Sequence, residues 1–299
     1  MNRLEPGLKS AVTSSQSDGV DLGKMDETLL IFGGPYSNLA ATRAMREKAR
    51  DLNISADRVI CSGDLAAYCA EPVATIDSIR DWDIQVVMGN CEESLAYQEP
   101  DCGCGFEAGS SCSTLSLSWY EYADARVTPG QRSWMRDLPR SVNFHIGRSR
   151  FKVVHASVSS INEFVFPSTD PVLKSKQLDL AGCDVIIGGH SGIPFGQKID
   201  RRLWLNSGAI GMPANDGTPE GWYMLVKPEG DSFHVSWHRL VYDHQHSHRT
   251  TVAAGMKEYG QALLDGLWPS MDSLPEPERR QRGQSLQLPP LEAVSIQPA

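Results

Sequence analysis

The sequence predicts an α/β protein built on a mainly parallel sheet. Three observations carry that expectation. Short, wholly apolar runs alternate with helical stretches in the first third of the chain, polar residues beside glycine follow those runs, and paired strands occupy the second half. The chain has 299 residues, 40% of them hydrophobic, enough for one large domain with a sizeable core. Its formal net charge of −9 and pI near 5.4 lack the basic face of a nucleic-acid binder. No stretch approaches the ~20 apolar residues that span a bilayer. The polar N-terminus has no apolar core of the kind a signal peptide needs, so a cytoplasmic protein is expected. Seven cysteines, an odd number in a long chain, argue against a secreted disulfide framework.

Residues 1–26, rich in Ser, Gly and Asp, read as a flexible leader. Residues 28–33 read as a buried strand entering a Gly-Pro turn. Leu39, Met45 and Leu52 have helical spacing, with Asn38 as N-cap. Residues 59–61 form the next strand, 72–82 a helix with Pro in its first turn, and 84–88 a third strand. Regularity breaks at 92–127, a cysteine-rich insertion. A helix near 129–137, strands near 141–146 and 150–155, a helix near 171–180 and a strand at 184–187 follow. Two hairpins are expected, 195–199 with 202–205 and 222–226 with 233–240. Beyond residue 245 the sequence suggests a short helix at 254–265 and a disordered tail rich in Pro, Gln and Arg.

In open α/β sheets ligands sit beyond the carboxyl ends of strands. Asp64, Asn90, His155 and His190 fall just there. Each has an ordinary reading alone: a turn former, a cap, a solvated imidazole. Four at successive strand ends point to a site, and oxygen with imidazole donors suits Mn, Fe or Zn.

These residues carry a resemblance. Gly63-Asp64, Gly89-Asn90, His155 and Gly189-His190 match in order the motifs of calcineurin-like metallophosphoesterases. Gly63-Asp64-Leu65-Ala66-Ala67-Tyr68, Asn162-Glu163-Phe164 and Asn206-Ser207-Gly208-Ala209-Ile210-Gly211 are similar to segments of the family's compact bacterial branch. The resemblance covers about residues 28–230 and places a metallophosphoesterase-like domain at 27–245. It implies a four-layer α/β/β/α sandwich, a small phosphorylated substrate and a divalent or trivalent ion.

The departures fall together. Family members open with Asp-x-His where this chain has Gly34-Pro35-Tyr36, and close with Gly-His-x-His where it has Gly189-His190-Ser191-Gly192. The resemblance implies that Gly34, Tyr36 and Gly192 stand where ligands of one ion are lost. The other ion's set, Asp64, Asn90, His155 and His190, is complete. It further implies catalytic roles for Asn90, Cys91 and His155, with Cys91 replacing a usual His. Tyr36 could bind substrate and fill the vacated site, and Asn38 could orient Asp64 or the substrate. Glu92 and Glu93 read either as nearby carboxylates or as helix-start charges.

Cys102, Cys104 and Cys112 are one thiolate short of a structural zinc site, so Cys91 or a His would have to join, or a pair could oxidise. His244, His246 and His248 read as a solvated loop. The leading expectation is a metal-dependent phosphoesterase-like hydrolase with one ion, weak or narrow in substrate. The alternatives are a non-catalytic metal or phosphate-ligand binding protein on the same scaffold and a soft-metal or thiol-linked protein.

Overall fold

The computed structural model describes residues 19–107 and 109–294. The strands are β1 (Val20–Lys24), β2 (Leu29–Phe32), β3 (Val59–Cys61), β4 (Gln85–Val86), β5 (Ser141–Ile146), β6 (Ser149–Val154), β7 (Val185–Gly188), β8 (Phe195–Ile199), β9 (Arg202–Asn206), β10 (Gly221–Glu229), β11 (Ser232–Leu240) and β12 (Leu291–Val294). The α-helices are α1 (Leu39–Asp51), α2 (Pro72–Trp82), α3 (Asn90–Tyr97), α4 (Ser111–Asp124), α5 (Pro129–Arg136), α6 (Pro171–Ala181), α7 (His244–Ala253), α8 (Lys257–Asp265) and α9 (Glu276–Arg279).

Two six-stranded sheets result, ordered β1-β5-β6-β7-β9-β8 and β12-β11-β10-β2-β3-β4. Side-chain alternation explains why they stack. On β2, Leu29 and Ile31 enter the core between the sheets, whereas Leu30 and Phe32 pack into the cluster that contains residues of α1 and α2. On β7, Val185 and Ile187 face that same central core and Ile186 packs with Leu178 of α6. Each such fully buried side chain contributes about 1.5–3 kcal/mol. A strand buried on both faces reads as an unbroken apolar run, which is why these strands are legible in sequence. The result is the α/β/β/α sandwich.

The chain differs from expectation at its ends and in the insertion. Residues 20–24 are not leader: β1 pairs in parallel with β5. Residues 1–18 lie outside the described residues. The insertion contains two helices. Ser110 caps α4 by accepting from Ser113 N, and Cys112, Ser116, Trp119, Tyr120 and Ala123 form its buried face. The expected disordered tail is ordered as far as Val294. Glu278 accepts from Ser168 N at 3.0 Å and Oγ at 2.6 Å, Trp268 Nε1 donates to Pro213 O at 2.7 Å, and β12 pairs with β11. Tertiary partners of this kind override a composition that favours disorder. His244, His246 and His248 lie on helix α7 rather than in a loop.

Candidate metal centre and the adjoining cleft

The loops that leave β2, β3, β4, β6 and β7 meet at one end of the sandwich. Gly63 has φ +97°, and a Cβ there would lie 2.8 Å from Gly89 N and Val87 O. The loop after β3 therefore rests on the backbone that follows β4, which only glycine allows. Glu92, fully buried at the start of α3, fastens the junction. Its carboxylate accepts from Asp64 N at 2.8 Å, Leu65 N at 2.7 Å and Gly89 N at 3.0 Å. Asp64 and His190 are held at φ 60° and 47°. Such left-handed backbone costs about 1–3 kcal/mol per residue and persists where surrounding bonds enforce it.

Three donor atoms converge on His155 Nε2, which is itself the fourth. The ring's Nδ1 donates to Ser62 O at 2.7 Å, which fixes the tautomer and leaves Nε2 with its lone pair exposed. Around Nε2 stand Asn90 Oδ1 at 3.0 Å, His190 Nδ1 at 3.1 Å and Asp64 Oδ2 at 3.4 Å. Asn90 cannot turn its oxygen away, because its Nδ2 donates to Cys102 O at 2.8 Å. A single proton on Nε2 satisfies only one of these acceptors, whereas a cation among them satisfies all four. The ligand atoms of Asp64, His155 and His190 lie within 4.8 Å of one another and form the one His, Cys, Asp or Glu cluster of metal-binding geometry among the described residues. One carboxylate, one amide oxygen and two imidazoles fit Mn, Fe or Zn.

The electrostatics agree with the geometry. Burial disfavours the charge on Asp64, but His155 more than reverses this and holds the carboxyl at about 2. Burial works against the charge on His155 too, yet Asp64 raises its pKa above the ordinary 6.5. Burial and the nearby His155 push His190 down to about 3, so it stays neutral. Burial and the Asp64 charge push Glu92 up to about 7, against the pull of His155 and its backbone donors. Burial, then Asp64, raises the Cys91 pKa, so its side chain is a thiol and not a thiolate. Its backbone N–H donates to Asp64 Oδ1 at 3.4 Å.

The other half of the cleft holds a ring. Tyr36 is buried, and a Cβ on Gly34 would lie 2.4 Å from its Cε2 and Cζ. A Cβ on Gly192 would lie 3.7 Å from its hydroxyl. The phenol thus spans the space between Gly34 and Gly192, and a side chain at residue 34 and the ring at residue 36 exclude each other. Burial, then Asp64, raises the Tyr36 pKa, so the hydroxyl keeps its proton. Asn38 is not brought to the donors. Its Oδ1 accepts from Ala41 N at 3.1 Å and Ser247 Oγ at 2.7 Å, and its Nδ2 donates to Gly211 O at 2.9 Å. It caps α1 and ties down α7, which replaces the substrate contact expected of it.

Cys102 and Cys104 are joined in a disulfide, and Cys112 is a free thiol. The disulfide loop touches the donors, since Asn90 Nδ2 also lies 3.4 Å from Cys104 Sγ. Sequence reasoning left the contacts of two supporting residues unassigned. Glu92 read either as a nearby carboxylate or as a helix-start charge, and its spacing of three from Gly89, as in a capping box, is the signal for its role. Phe164 lies with its ring 4.3 Å from that of His190, and no sequence pattern pointed to that contact.

The family model of the calcineurin-like phosphoesterase superfamily domain matches residues 36–231. The uncharacterized protein MJ0912 of Methanocaldococcus jannaschii is 23% identical over 257 residues, covering 80% of this chain and 98% of its own. Among solved structures, the hypothetical protein PH1004 of Pyrococcus horikoshii superposes with a TM-score of 0.67 at 15% identity, covering 81% of this chain and 99% of its own. A metallophosphoesterase of Sphaerobacter thermophilus gives 0.63 at 18% identity, over 81% and 100%. These structures share the fold. Among the described residues no helix is long and apolar enough to cross a membrane.

Proposed function

The chain belongs to the calcineurin-like phosphoesterase superfamily, and from that premise we propose a metal-dependent phosphoric ester hydrolase that works with one ion. Asp64, Asn90, His155 and His190 would hold it. The observation that carries this reading is the convergence of acceptors on His155 Nε2 at 3.0–3.4 Å. When bound, such an ion polarises a phosphoryl oxygen and lowers the pKa of water toward neutrality. The chain's own residues do the rest. Glu92 and Ser62 O hold Asp64 and His155 in place. Asn90, fixed by Cys102 O, keeps its oxygen toward the donors. The protonated Tyr36 hydroxyl donates a hydrogen bond to a phosphate oxygen from the place of a second ion.

One ion supplies half of a two-metal clamp, so turnover is expected to be slow. The substrate is a small phosphorylated molecule, and a cytoplasmic setting without nucleic acid accords with the acidic chain. Scaffolds of this kind can also bind without turnover, and the Tyr36 ring in the second-ion position favours that second reading. The deciding assay is hydrolysis of bis(4-nitrophenyl) phosphate by native protein with added Mn²⁺. Slow turnover that chelation and His190→Ala both abolish is expected. Metal-bound protein with no turnover would leave the binding role, and metal-independent turnover would contradict the hydrolase proposed here.

A further inference from the structure

Beside the donor cluster opens a pocket that the ion chemistry does not use. His190 and Tyr36 form its inner wall, and Tyr68, Phe106, Phe164 and Trp268 are among its other lining residues. Leu115 and Met212 add to this largely apolar lining. The walls are fixed before any ligand arrives. Tyr68 stands edge-on to Tyr36 at 4.7 Å and to Trp119 at 5.2 Å, and stacks on Tyr259 at 5.0 Å. Phe106 stacks on Phe164 at 5.9 Å, and Trp268 is anchored through Nε1 to Pro213 O at 2.7 Å.

Two properties limit the occupant. First, the lining contains no Lys, Arg, Asp or Glu, and its one imidazole, that of His190, has Nδ1 engaged 3.1 Å from His155 Nε2 in the donor cluster. Nothing in the pocket neutralises a second phosphate charge, and a buried unpaired charge is strongly disfavoured. Second, the walls are ring faces and edges, which favour flat apolar groups through stacking and edge contacts. The pocket also adjoins the donors directly, since the Phe164 ring lies 4.3 Å from the His190 ring. A ring seated there keeps its ester phosphorus next to the ion site.

We propose that this pocket takes the uncharged planar ring of a singly charged phosphodiester. The substrate class is therefore an aryl or similarly flat diester rather than a monoester or polyphosphate. This rests on the hydrolase reading for the reaction but not for the binding. In the reaction, water oxygen forms a new bond to phosphorus while the bond from phosphorus to the ring-bearing oxygen breaks. That oxygen leaves with the electron pair and receives a proton from the water consumed. Phe106 and Trp268, from the insertion and the C-terminal segment, act as specificity residues because they line the pocket and are not among the four donors.

Binding is tested separately from turnover. Methyl phenyl phosphate, dimethyl phosphate and phenyl phosphate are titrated by calorimetry into the full chain, with Mn²⁺ and after chelation. Methyl phenyl phosphate is expected to bind at least about 10-fold more tightly than dimethyl phosphate, the gain of roughly one ring contact. Phenyl phosphate is expected to bind more weakly than methyl phenyl phosphate. Trp268→Ala and Phe106→Leu should each erase most of the aryl preference while Mn²⁺ stoichiometry stays unchanged. The milder Phe106→Leu guards against loss of folding, checked by circular dichroism. Equal binding of the aryl and alkyl diesters, tighter binding of the monoester, or no binding of any probe overturns the proposal. If the preference is found without hydrolysis, the hydrolase reading fails and the pocket assignment stands.

Discussion

The two halves of the cleft start from equivalent strand ends and finish in opposite chemistry. On one side Asp64, Asn90 and His190 bring donor atoms within 3.0–3.4 Å of His155 Nε2. On the other, Gly34 and Gly192 have no side chains and one phenol ring lies between them. The polar half needs outside support, which Glu92, Ser62 O and the 102–104 loop supply. The aromatic half supports itself by packing against Tyr68. One half is thus a cluster of polar donors and the other a packed ring.

Breaking the support of the polar half has the largest expected effect. Glu92→Ala leaves three buried N–H groups, those of Asp64, Leu65 and Gly89, without their acceptor. The expected destabilisation is about 3–5 kcal/mol, measured by urea unfolding, with Mn²⁺ affinity lowered roughly 10-fold or more. A change below about 1 kcal/mol would mean that water or another group serves these donors equally well.

The aromatic half is tested by a double-mutant cycle. Gly34→Ala places a methyl 2.4 Å from the Tyr36 ring and is expected to cost about 1–3 kcal/mol. In a Tyr36→Ala background the same change should cost at least about 1 kcal/mol less. Additive costs would show that the ring does not occupy the space at residue 34.

A smaller effect is expected from pH. The raised pKa of His155 means that the metal-free folded state holds its proton more tightly than the unfolded chain. That stabilisation is full below 6.5 and is lost as pH rises through the raised value. Asp64, at about 2 against an ordinary 3.8, contributes above 3.8 and loses its contribution as pH falls toward 2. A metal ion displaces the His155 proton, so Mn²⁺ affinity should climb with pH until that pKa is passed. Calorimetric titrations across pH, paired with melts of chelated protein, check both slopes. Affinity that does not change with pH would place the ion elsewhere.

The same contrast decides what was legible in sequence. The polar half was, because its ligands follow short buried strands and stand beside glycines, a pattern that a one-dimensional reading detects. Tyr36 could be suspected of filling the gap, since it is the large group among the replacements. Asn38 was misread because helix capping and substrate binding ask for the same amide. Glu92 was undervalued because its three partners include the loop after a different strand. The tail was called disordered from its composition, whereas Trp268 and Glu278 are ordered by partners at Pro213 and Ser168, which no local pattern reveals.

The most direct measurement is the metal content of freshly purified protein and of its Asp64→Ala variant, by elemental analysis after extensive dialysis. One ion per chain in the native protein and none in the variant is the predicted result, because Asp64 is the sole carboxylate among the four donors. Two ions per chain, or one ion that survives Asp64→Ala, would contradict a cleft in which one half binds metal and the other is filled by Tyr36.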